Sequence, residues 1–377
     1  MDKQNYTLRE FETQALKENY SLLKSKLTNA LEDRIFKRKR ILKSLELLIT
    51  AIFLYITEQQ SFQRLSDIMA CEYGIVMSDT AWRKQILKAA PILMEWVFEQ
   101  QGITKADSAN ETVLGYPYAY AIDATDLPVQ GGDATSRRMH TIFSICEHRC
   151  VYTEVTDRHG GETLTRFPLR QDALYFADRA YGRTPQIAYA IEQKAHVVTR
   201  ISPSHVAFYT APDCREKISF ISLLNGEAFS TDAYFKCDKK VYRIRLLGAK
   251  LPEEKQAAAE KRTRRKANRS QRKISPETIL YTQWVFLATT LPYTCSDAEI
   301  MEAYRLRWQI ELHFKRVKSL LNFHKLRRSG DYYKNGIVSL WITLSFLISC
   351  IQLWILHLTK FSISDFNAFS LAKGLFA

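Results

Sequence analysis

The first hundred residues have the spacing of apolar positions that is typical of helices. Apolar side chains recur every three or four positions over residues 41–58 and 80–100, which together contain one proline and no glycine. Between these stretches the pattern predicts a helix over residues 62–70, a turn at Gly74 and a second helix capped by Ser78. This order resembles a helix-turn-helix, although any two short helices joined by a glycine turn have the same pattern.

From residue 118 onward the apolar period changes to two, which indicates strands. The predicted elements, in order, are strands at 118–123, 139–146 and 151–156, a helix at 164–172, a strand at 173–177, a helix at 184–193 and a strand at 196–201. Three strands followed by helix, strand, helix and strand is the element order of a ribonuclease-H-like core. We therefore predict an α/β fold in which residues 112–201 form the first part of a ribonuclease-H-like core.

Residues 202–290 are predicted to form a β-rich insertion. Strand-like runs lie at 206–209, 242–247 and 281–289. Between the last two, residues 261–273 contain eight Lys or Arg in thirteen positions and no acid. Such a run is usually disordered when free and attracts nucleic acid without sequence preference. We expect Arg264, Arg265 and Lys266 to contact DNA phosphates.

A long amphipathic helix is predicted after the insertion. It starts at the cap residue Ser296 and runs to about residue 326, with room for one break. Residues 291–330 supply this core helix, and residues 331–377 form a helical C-terminal tail. In that tail, residues 336–358 carry no charge and are long enough to be a transmembrane candidate. Six polar residues interrupt the stretch, so we favour a buried helix over a membrane span.

The charge balance favours a polyanionic partner. The 377 residues include 54 Lys and Arg against 40 Asp and Glu, a formal charge of +14. We interpret residues 1–105 as a helical DNA-binding region, with the helix-turn-helix-like segment at about 61–88. A basic cluster at 34–43 has two equal explanations, phosphate contacts or a solvated helix face.

The cysteines and the N-terminal residues bear on the compartment. Seven cysteines are spread along the chain without a CxxC pair or an ordered His/Cys array, which favours reduced thiols. The first residues lack the basic and apolar regions of a signal peptide. We predict a cytoplasmic, nucleoid-associated protein.

Two carboxylates follow apolar strand patterns directly. Asp123 comes after YAYAI, and Asp178 comes after LYFA. A hard cation such as Mg²⁺ prefers carboxylate oxygens held in this way, together with water and substrate phosphate. Taken singly, each aspartate is explained more simply as a turn or helix cap.

A third group of polar residues falls on one face of the predicted long helix. At 100° per residue, Tyr304, Arg307, Glu311, Lys315 and Lys318 lie together, while apolar residues gather on another face. A solvated face with ion pairs four residues apart would explain part of this set. It would not explain the two matching aspartates at strand ends.

These residues resemble a known family. Tyr304, Arg307, Glu311 and Lys318 have the Y-x2-R-x3-E-x6-K spacing of bacterial insertion-sequence transposases of the DDE type, in the YREK subclass named after insertion sequence four. The segments IDATDLP, FADRAYGR, WVFLATTLP and YRLRWQIELHFKRVKSLL are similar to family segments in the same order. The resemblance covers roughly residues 60–330.

The resemblance implies the chemistry of the site. Asp123, Asp178 and Glu311 would hold two Mg²⁺ ions, or Mn²⁺ as a substitute, about 4 Å apart for in-line displacement at phosphorus. Arg307 and Lys318 would bind DNA phosphates, with Tyr304 and Lys315 beside them. Trp284 would stack on a flipped base, or else pack in the core, where a strand tryptophan is equally expected.

The resemblance also implies partners and a reaction. The expected partners are double-stranded DNA, both the terminal inverted repeats of the element and the target, and a second copy of the chain in the DNA complex. The expected reaction is Mg²⁺-dependent cleavage at the element ends followed by strand transfer. The alternative is a catalytically inactive, transposase-derived DNA-binding protein.

Overall fold

A computed structural model describes residues 34–35, 41–42, 44–57, 61–86, 88–89, 92, 112–127, 137–147, 149–157 and 159–320. In this part of the chain, eight strands form one mixed sheet. The strands are β1 (Ala119–Leu127), β2 (Arg137–Ser144), β3 (Arg149–Asp157), β4 (Leu174–Ala177), β5 (His196–Arg200), β6 (Ala228–Cys237), β7 (Lys240–Lys250) and β8 (Trp284–Thr289). Their order across the sheet is β3-β2-β1-β4-β5-β8-β7-β6.

Two of the named α-helices precede the strands, three lie between strands, and two follow β8. They are α1 (Leu45–Thr57), α2 (Phe62–Tyr73), α3 (Thr184–Glu192), α4 (Glu253–Arg269), α5 (Pro276–Thr282), α6 (Asp297–Ala303) and α7 (Trp308–Leu320). Strands β1, β4 and β5 pair in parallel, and the other neighbouring strands pair antiparallel. This mixed α/β arrangement is consistent with the predicted ribonuclease-H-like core. The insertion strands β6 and β7 join β5 through β8 and extend the same sheet.

The two helices predicted near residues 61–88 are present. The Ser61 hydroxyl caps α2 by accepting a hydrogen bond from the Arg64 amide. Gly74 ends the helix in the left-handed region, at φ +67°, which favours glycine. Residues 79–86 are helical again, and Trp82 packs there with Leu65 of α2. The binding of DNA by this pair stays a prediction.

Each face of the sheet carries its own apolar layer, because successive strand residues point to opposite sides. The face that we call the α7 face includes Ala121, Phe176, Val198 and Leu287, packed with Ile310 and Phe314 of α7. The face that we call the α3 face includes Ile122, Tyr175, Val197 and Ala288, packed with Ile187 of α3. Which face a residue joins therefore follows from its position along the strand.

Several predicted elements need correction. The helix expected at 164–172 is a single 3-10 turn, Leu164–Arg166, because Phe167 precedes a proline and is extended. The strand expected at 206–209 is absent from the described residues, where Tyr209 makes isolated bridges only. The strand expected from residue 281 begins at Trp284, after α5. Strand β6 carried no recognised sequence signal.

The prediction of disorder for residues 261–273 is wrong up to Arg269, where α4 ends. Alanine, lysine and arginine are strong helix formers, and α4 consists largely of them. Glu253 and Glu254 lie in its first turn, and Lys266 and Arg269 lie in its last turn, which suits the helix dipole. An ion pair of 2.7 Å between Arg264 and Glu260 adds support one turn apart.

The start of the long helix is confirmed, as is its break. Ser296 and Glu299 form a reciprocal capping box at the start of α6. A 3-10 turn, Tyr304–Arg307, separates α6 from α7. Since this turn has a different period from an α-helix, the five polar residues do not share one continuous helical face. The predicted end near residue 326 lies outside the described residues.

A buried arginine attaches the insertion to the start of α6. Arg245 of β7 is 3% exposed and donates to the carbonyl oxygens of Pro292 (3.1 Å) and Cys295 (3.0 Å). It also forms an ion pair with Asp297, the first residue of α6. The insertion thereby fixes the turn that leads into the segment of Tyr304, Arg307 and Glu311.

The remaining expectations concern cysteines and the membrane. The six cysteines within the described residues are free thiols. Among the helices described, none is long and apolar enough to cross a membrane. Residues 336–358 lie outside the described part, as does the tail 331–377.

Candidate active site

Asp123 and Asp178 occupy equivalent positions on neighbouring parallel strands. The last pair between β1 and β4 joins Ile122 to Ala177, and each aspartate follows its member of that pair. Both continue the alternation of the α7 face, since Ala121 and Phe176 lie two residues before them. The prediction that Asp123 ends its strand is wrong, because β1 continues to Leu127 beside β2. Asp123 lies level with the residue that follows the end of the parallel strand β4.

Arg307 joins Asp123 to Glu311. One guanidinium nitrogen lies 3.2 Å from Asp123 Oδ2 and another lies 2.5 Å from Glu311 Oε1. Asp123 and Arg307 are 184 residues apart in the sequence, so the contact depends on docking of α7 against β1. The side chains are 14%, 19% and 31% exposed for Arg307, Asp123 and Glu311. The structure therefore brings three predicted site residues into one half-buried cluster.

Burial raises the pKa of Asp123 to about 6. The Ala124 amide, which donates to Asp123 Oδ1 at 2.8 Å, and the Arg307 guanidinium both oppose the shift. The carboxylates of Asp178 and Glu162 add to it by repulsion. Negative charge at Asp123 is thus costly, and a cation next to it would reduce that cost.

Tyr304 supports the strand end that carries Asp178. Its hydroxyl donates to the carbonyl oxygen of Ala177 at 3.1 Å, one residue before Asp178. Burial raises the pKa of this tyrosine, so the hydroxyl keeps its proton. Thr199 of β5 donates to the carbonyl oxygen of Asp178 at 3.3 Å. The backbone of Asp178 is therefore anchored from two sides.

The two lysines of α7 lie at different depths. Lys318 is half-buried, and burial lowers the pKa of its ammonium, with an opposing effect from Asp126. Lys315 is exposed and lies 4.7 Å from the ring centroid of Trp308. Trp308 itself is 50% exposed at the start of α7, next to Arg307. Trp308 was not among the predicted site residues, and its position directly after Arg307 is the sequence feature that would have indicated it.

A second polar cluster lies on the α3 face, and the sequence analysis did not recognise it. Asp126 is three residues from Asp123, so alternation directs it to the α3 face. Arg138 lies 3.0 Å from Asp126 and 3.6 Å from Glu162. Burial raises the pKa of Glu162, and the nearby Asp126 and Asp178 carboxylates add to the rise. No sequence signal marked Glu162, because it lies in a loop without periodicity.

No described contact joins Trp284 or the basic residues of α4 to the cluster of Asp123, Arg307 and Glu311. Trp284 is 3% exposed on the α3 face, with ring centroids of Phe229 at 6.1 Å and Phe286 at 6.4 Å. Stacking on a flipped base would require the indole to leave this core. Arg264, Arg265 and Lys266 are exposed on α4. The structure does not bring them to Asp123 by any described contact.

Comparisons with known proteins indicate the family of this chain. Residues 117–348 match the transposase DDE domain. The chain belongs to that family. The match confirms the predicted resemblance to insertion-sequence DDE transposases, while the YREK subclass stays a prediction.

Two proteins from Escherichia coli are similar to this chain. The putative transposase InsL for insertion sequence element IS186A, from strain K12, is 32% identical over 217 residues. The transposase for insertion sequence element IS421 is also 32% identical over 217 residues. Each match covers 55% of this chain and 58% of the relative. The chain therefore spans a little over half the length of these relatives.

The donor set fits a hard divalent cation in part. Asp123 and Asp178 supply adjacent carboxylates on one face, and Arg307 links Glu311 to Asp123. Within the described residues, no three His, Cys, Asp or Glu side chains converge closely enough to hold a metal ion. For Glu311 to join Asp123 and Asp178 around a cation, the Arg307 bridge must open.

Proposed function

We propose that this protein is a DDE transposase of the YREK subclass, which cleaves DNA at the ends of an insertion sequence and joins it to target DNA. The observation that carries the proposal is the register of Asp123 beside Asp178, with Glu311 brought to the same cluster by Arg307. Family membership supports it. The names of the IS186 and IS421 relatives support the same class.

We assign cation binding to Asp123, Asp178 and Glu311. Bound Mg²⁺, with Mn²⁺ as a substitute, would supply Lewis acidity at the scissile phosphate and lower the pKa of the attacking hydroxyl group. The protein's own part is to hold the carboxylates. Strand pairing fixes the two aspartates, and the docking of α7 fixes Glu311. The raised pKa of Asp123 means that its proton must leave before a cation binds.

We assign DNA phosphate binding to Arg307 and Lys318. When the Arg307 guanidinium leaves Asp123 and Glu311, its fork of donors is available to a phosphate at the same place. Lys318 is on α7, which begins directly after Arg307, and a DNA phosphate next to its half-buried ammonium would reduce the cost of burying that charge. Tyr304 keeps the predicted place beside the DNA backbone and, through Ala177, holds Asp178 in position.

Other parts of the chain would bind DNA away from the reacting phosphate. Arg264, Arg265 and Lys266 present charge along the exposed side of α4, which suits backbone contacts without base readout. The helix pair near residues 61–88 is the candidate for recognition of the terminal inverted repeats. A second copy of the chain in the DNA complex would allow both element ends to be held together.

The test is cleavage of labelled DNA that carries the inverted repeats flanking the gene. We expect strand cleavage at the repeat end with Mg²⁺ or Mn²⁺, abolished by a chelator and restored by adding the metal back. A matched DNA with a scrambled repeat is the control. Repeat binding without cleavage under any divalent cation would favour the inactive DNA-binding alternative. Loss of both binding and cleavage would refute the proposal.

A further inference from the structure

Arg200 continues the row of Asp123 and Asp178 along the edge of the sheet. The last pair between β4 and β5 joins Ala177 to Thr199, so Arg200 is level with Asp178. Asp178 is level with Asp123 in the same way. Since neighbouring strands lie about 4.8 Å apart, the three residues form a row of about 10 Å across β1, β4 and β5.

The side chain of Arg200 belongs to the α7 face. Arg200 is directly opposite Leu287 of β8, and opposite residues of an antiparallel pair point to the same side. Leu287 and Val198, two residues before Arg200, both belong to the apolar layer of that face. Arg200 therefore projects from the same side of the sheet as Asp123 and Asp178.

The backbone of Arg200 is held closely. The Thr199 hydroxyl lies 3.3 Å from its carbonyl oxygen and shares its proton between this oxygen and that of Asp178, and Gly182 packs against the Arg200 oxygen. A Cβ atom at position 182 would lie 2.1 Å from it, so only glycine fits there. The loop after Asp178 is thus packed against the end of β5, which fixes Arg200 relative to Asp178.

The side chain of Arg200 is half-buried on this face of the sheet. Among the described residues, no hydrogen bond or ion pair to its guanidinium is present. A half-buried cation without such a partner is unfavourable, and an anion placed next to it removes that cost. This end of the row is therefore suited to an anion.

We propose that Arg200 binds a backbone phosphate of the reacting DNA strand, on the side of Asp178 that is remote from Asp123. The inference rests on the proposed function and adds a residue to it. Arg307 lies on the Asp123 side of the carboxylates and Arg200 on the other. A DNA strand that crosses the strand ends from β1 to β5 meets an arginine on each side of the cation-binding carboxylates. Arg200 orients the strand and does not touch the reacting atoms.

The experiment compares Arg200→Gln and Arg200→Lys with Arg215→Gln. Arg215 is a matched control because its side chain is 87% exposed in a loop, 3.6 Å from Asp213. DNA ends carry a neutral methylphosphonate at one linkage at a time around the cleavage site. Binding is measured with each DNA over a range of salt concentrations, and single-turnover cleavage is measured in parallel.

For Arg200→Gln we expect cleavage to fall about 10- to 100-fold, the usual loss for a hydrogen bond to a charged group. The slope of log affinity against log salt should become shallower by about 0.9, one phosphate contact. One methylphosphonate position should weaken binding of the wild type and have no further effect on Arg200→Gln. Arg200→Lys should recover part of the salt slope, and Arg215→Gln should match the wild type.

Three results would overturn the inference. The first is a cleavage rate and salt slope of Arg200→Gln equal to those of the wild type. The second is an equal loss of binding by Arg200→Gln and the wild type at every methylphosphonate position. The third is a lowered melting temperature in both Arg200→Gln and Arg200→Lys, with no recovery of the salt slope in Arg200→Lys. The binding measurements do not need turnover. If the wild type bound the ends without cleaving them, the proposed function would fail while the phosphate contact of Arg200 was still measured.

Discussion

The two faces of β1 carry similar residues in different kinds of cluster. On the α3 face, Asp126 pairs with Arg138 of the next strand, twelve residues away. On the α7 face, Asp123 pairs with Arg307, 184 residues away. The first pair comes with the hairpin of β1 and β2, in which the two residues are directly opposite. The second exists only when α7 has docked.

We base the proposed assignment of chemistry to Asp123, and not to Asp126, on this difference. Arg138 also lies 3.6 Å from Glu162, but its nearer partner Asp126 is directly opposite it on the neighbouring strand, so this ion pair mainly stabilises the pairing of β1 with β2. The arginine on the α7 face is shared between two carboxylates from distant segments, next to a third at Asp178. Residues that are brought together by the whole fold form a site that a substrate can rearrange.

The largest expected effect is on cleavage by variants of the α7 face. Asp123→Asn, Asp178→Asn and Glu311→Gln should each reduce cleavage at least about 10³-fold, because several kcal/mol of transition-state stabilisation depends on the complete donor set. Binding of the element ends should be largely kept. Asp126→Asn, the matched change on the α3 face, should stay within about fivefold of the wild type. Equal losses for Asp123→Asn and Asp126→Asn would end the distinction between the faces.

The next effect is on stability and concerns Trp284 on the α3 face. Removing a buried aromatic side chain in Trp284→Ala should lower the free energy of unfolding by about 3 to 5 kcal/mol. Activity should then fall to a similar extent at every step of the reaction. Gel-resolved kinetics beside thermal unfolding measures both. A stable Trp284→Ala protein that is slowed only after the first nick would restore the base-stacking role.

The two faces should also respond to pH with opposite signs. Asp123 has its pKa raised to about 6, so the folded state holds an extra proton, and stability falls as pH rises from about 4 to about 6. His140 on the α3 face has its pKa lowered to about 4, first by burial and then by Arg166 and Arg138. The unfolded state takes up that proton first, so stability falls as pH decreases from about 6.5 to about 4.

Variants separate these opposed contributions, each on the order of 2 to 3 kcal/mol. In chelator-containing buffer, Asp123→Asn should lose more stability on acidification than the wild type does. His140→Gln should lose less. Denaturant unfolding at a series of pH values between 4 and 7 measures both slopes. Parallel curves for the wild type and both variants would contradict the assigned titrations.

The smallest effect is expected from the exposed helix α4, which belongs to neither cluster. Arg265→Gln and Lys266→Gln should each make the slope of log affinity against log salt shallower by up to about 0.9. The change should be the same for element ends and unrelated DNA, and the cleavage rate of bound DNA should not change. A loss confined to element ends would mean that α4 reads sequence.

The order of elements and much of the site follow from local pattern. The apolar runs predicted the five core strands. They misplaced the end of β1, because Asp123 lies level with the end of β4 and not at the end of its own strand. The cap at Ser296 was readable because capping depends on residues within one turn, whereas no sequence signal fixed the position of the break before α7. The 3-10 turn at Leu164–Arg166 was not predicted, because the restriction that Pro168 imposes on the backbone of Phe167 was overlooked.

The sequence by itself determined the identity of the candidate acids, the spacing from Tyr304 to Lys318 and the excess of positive charge. Tertiary structure decided that Asp123 contacts Arg307, that Trp284 lies in a core, and that Arg200 is level with Asp178. The physical reason is that periodicity and capping act over a few residues. Register between parallel strands and the docking of a distant helix are set by packing between segments that no local pattern relates.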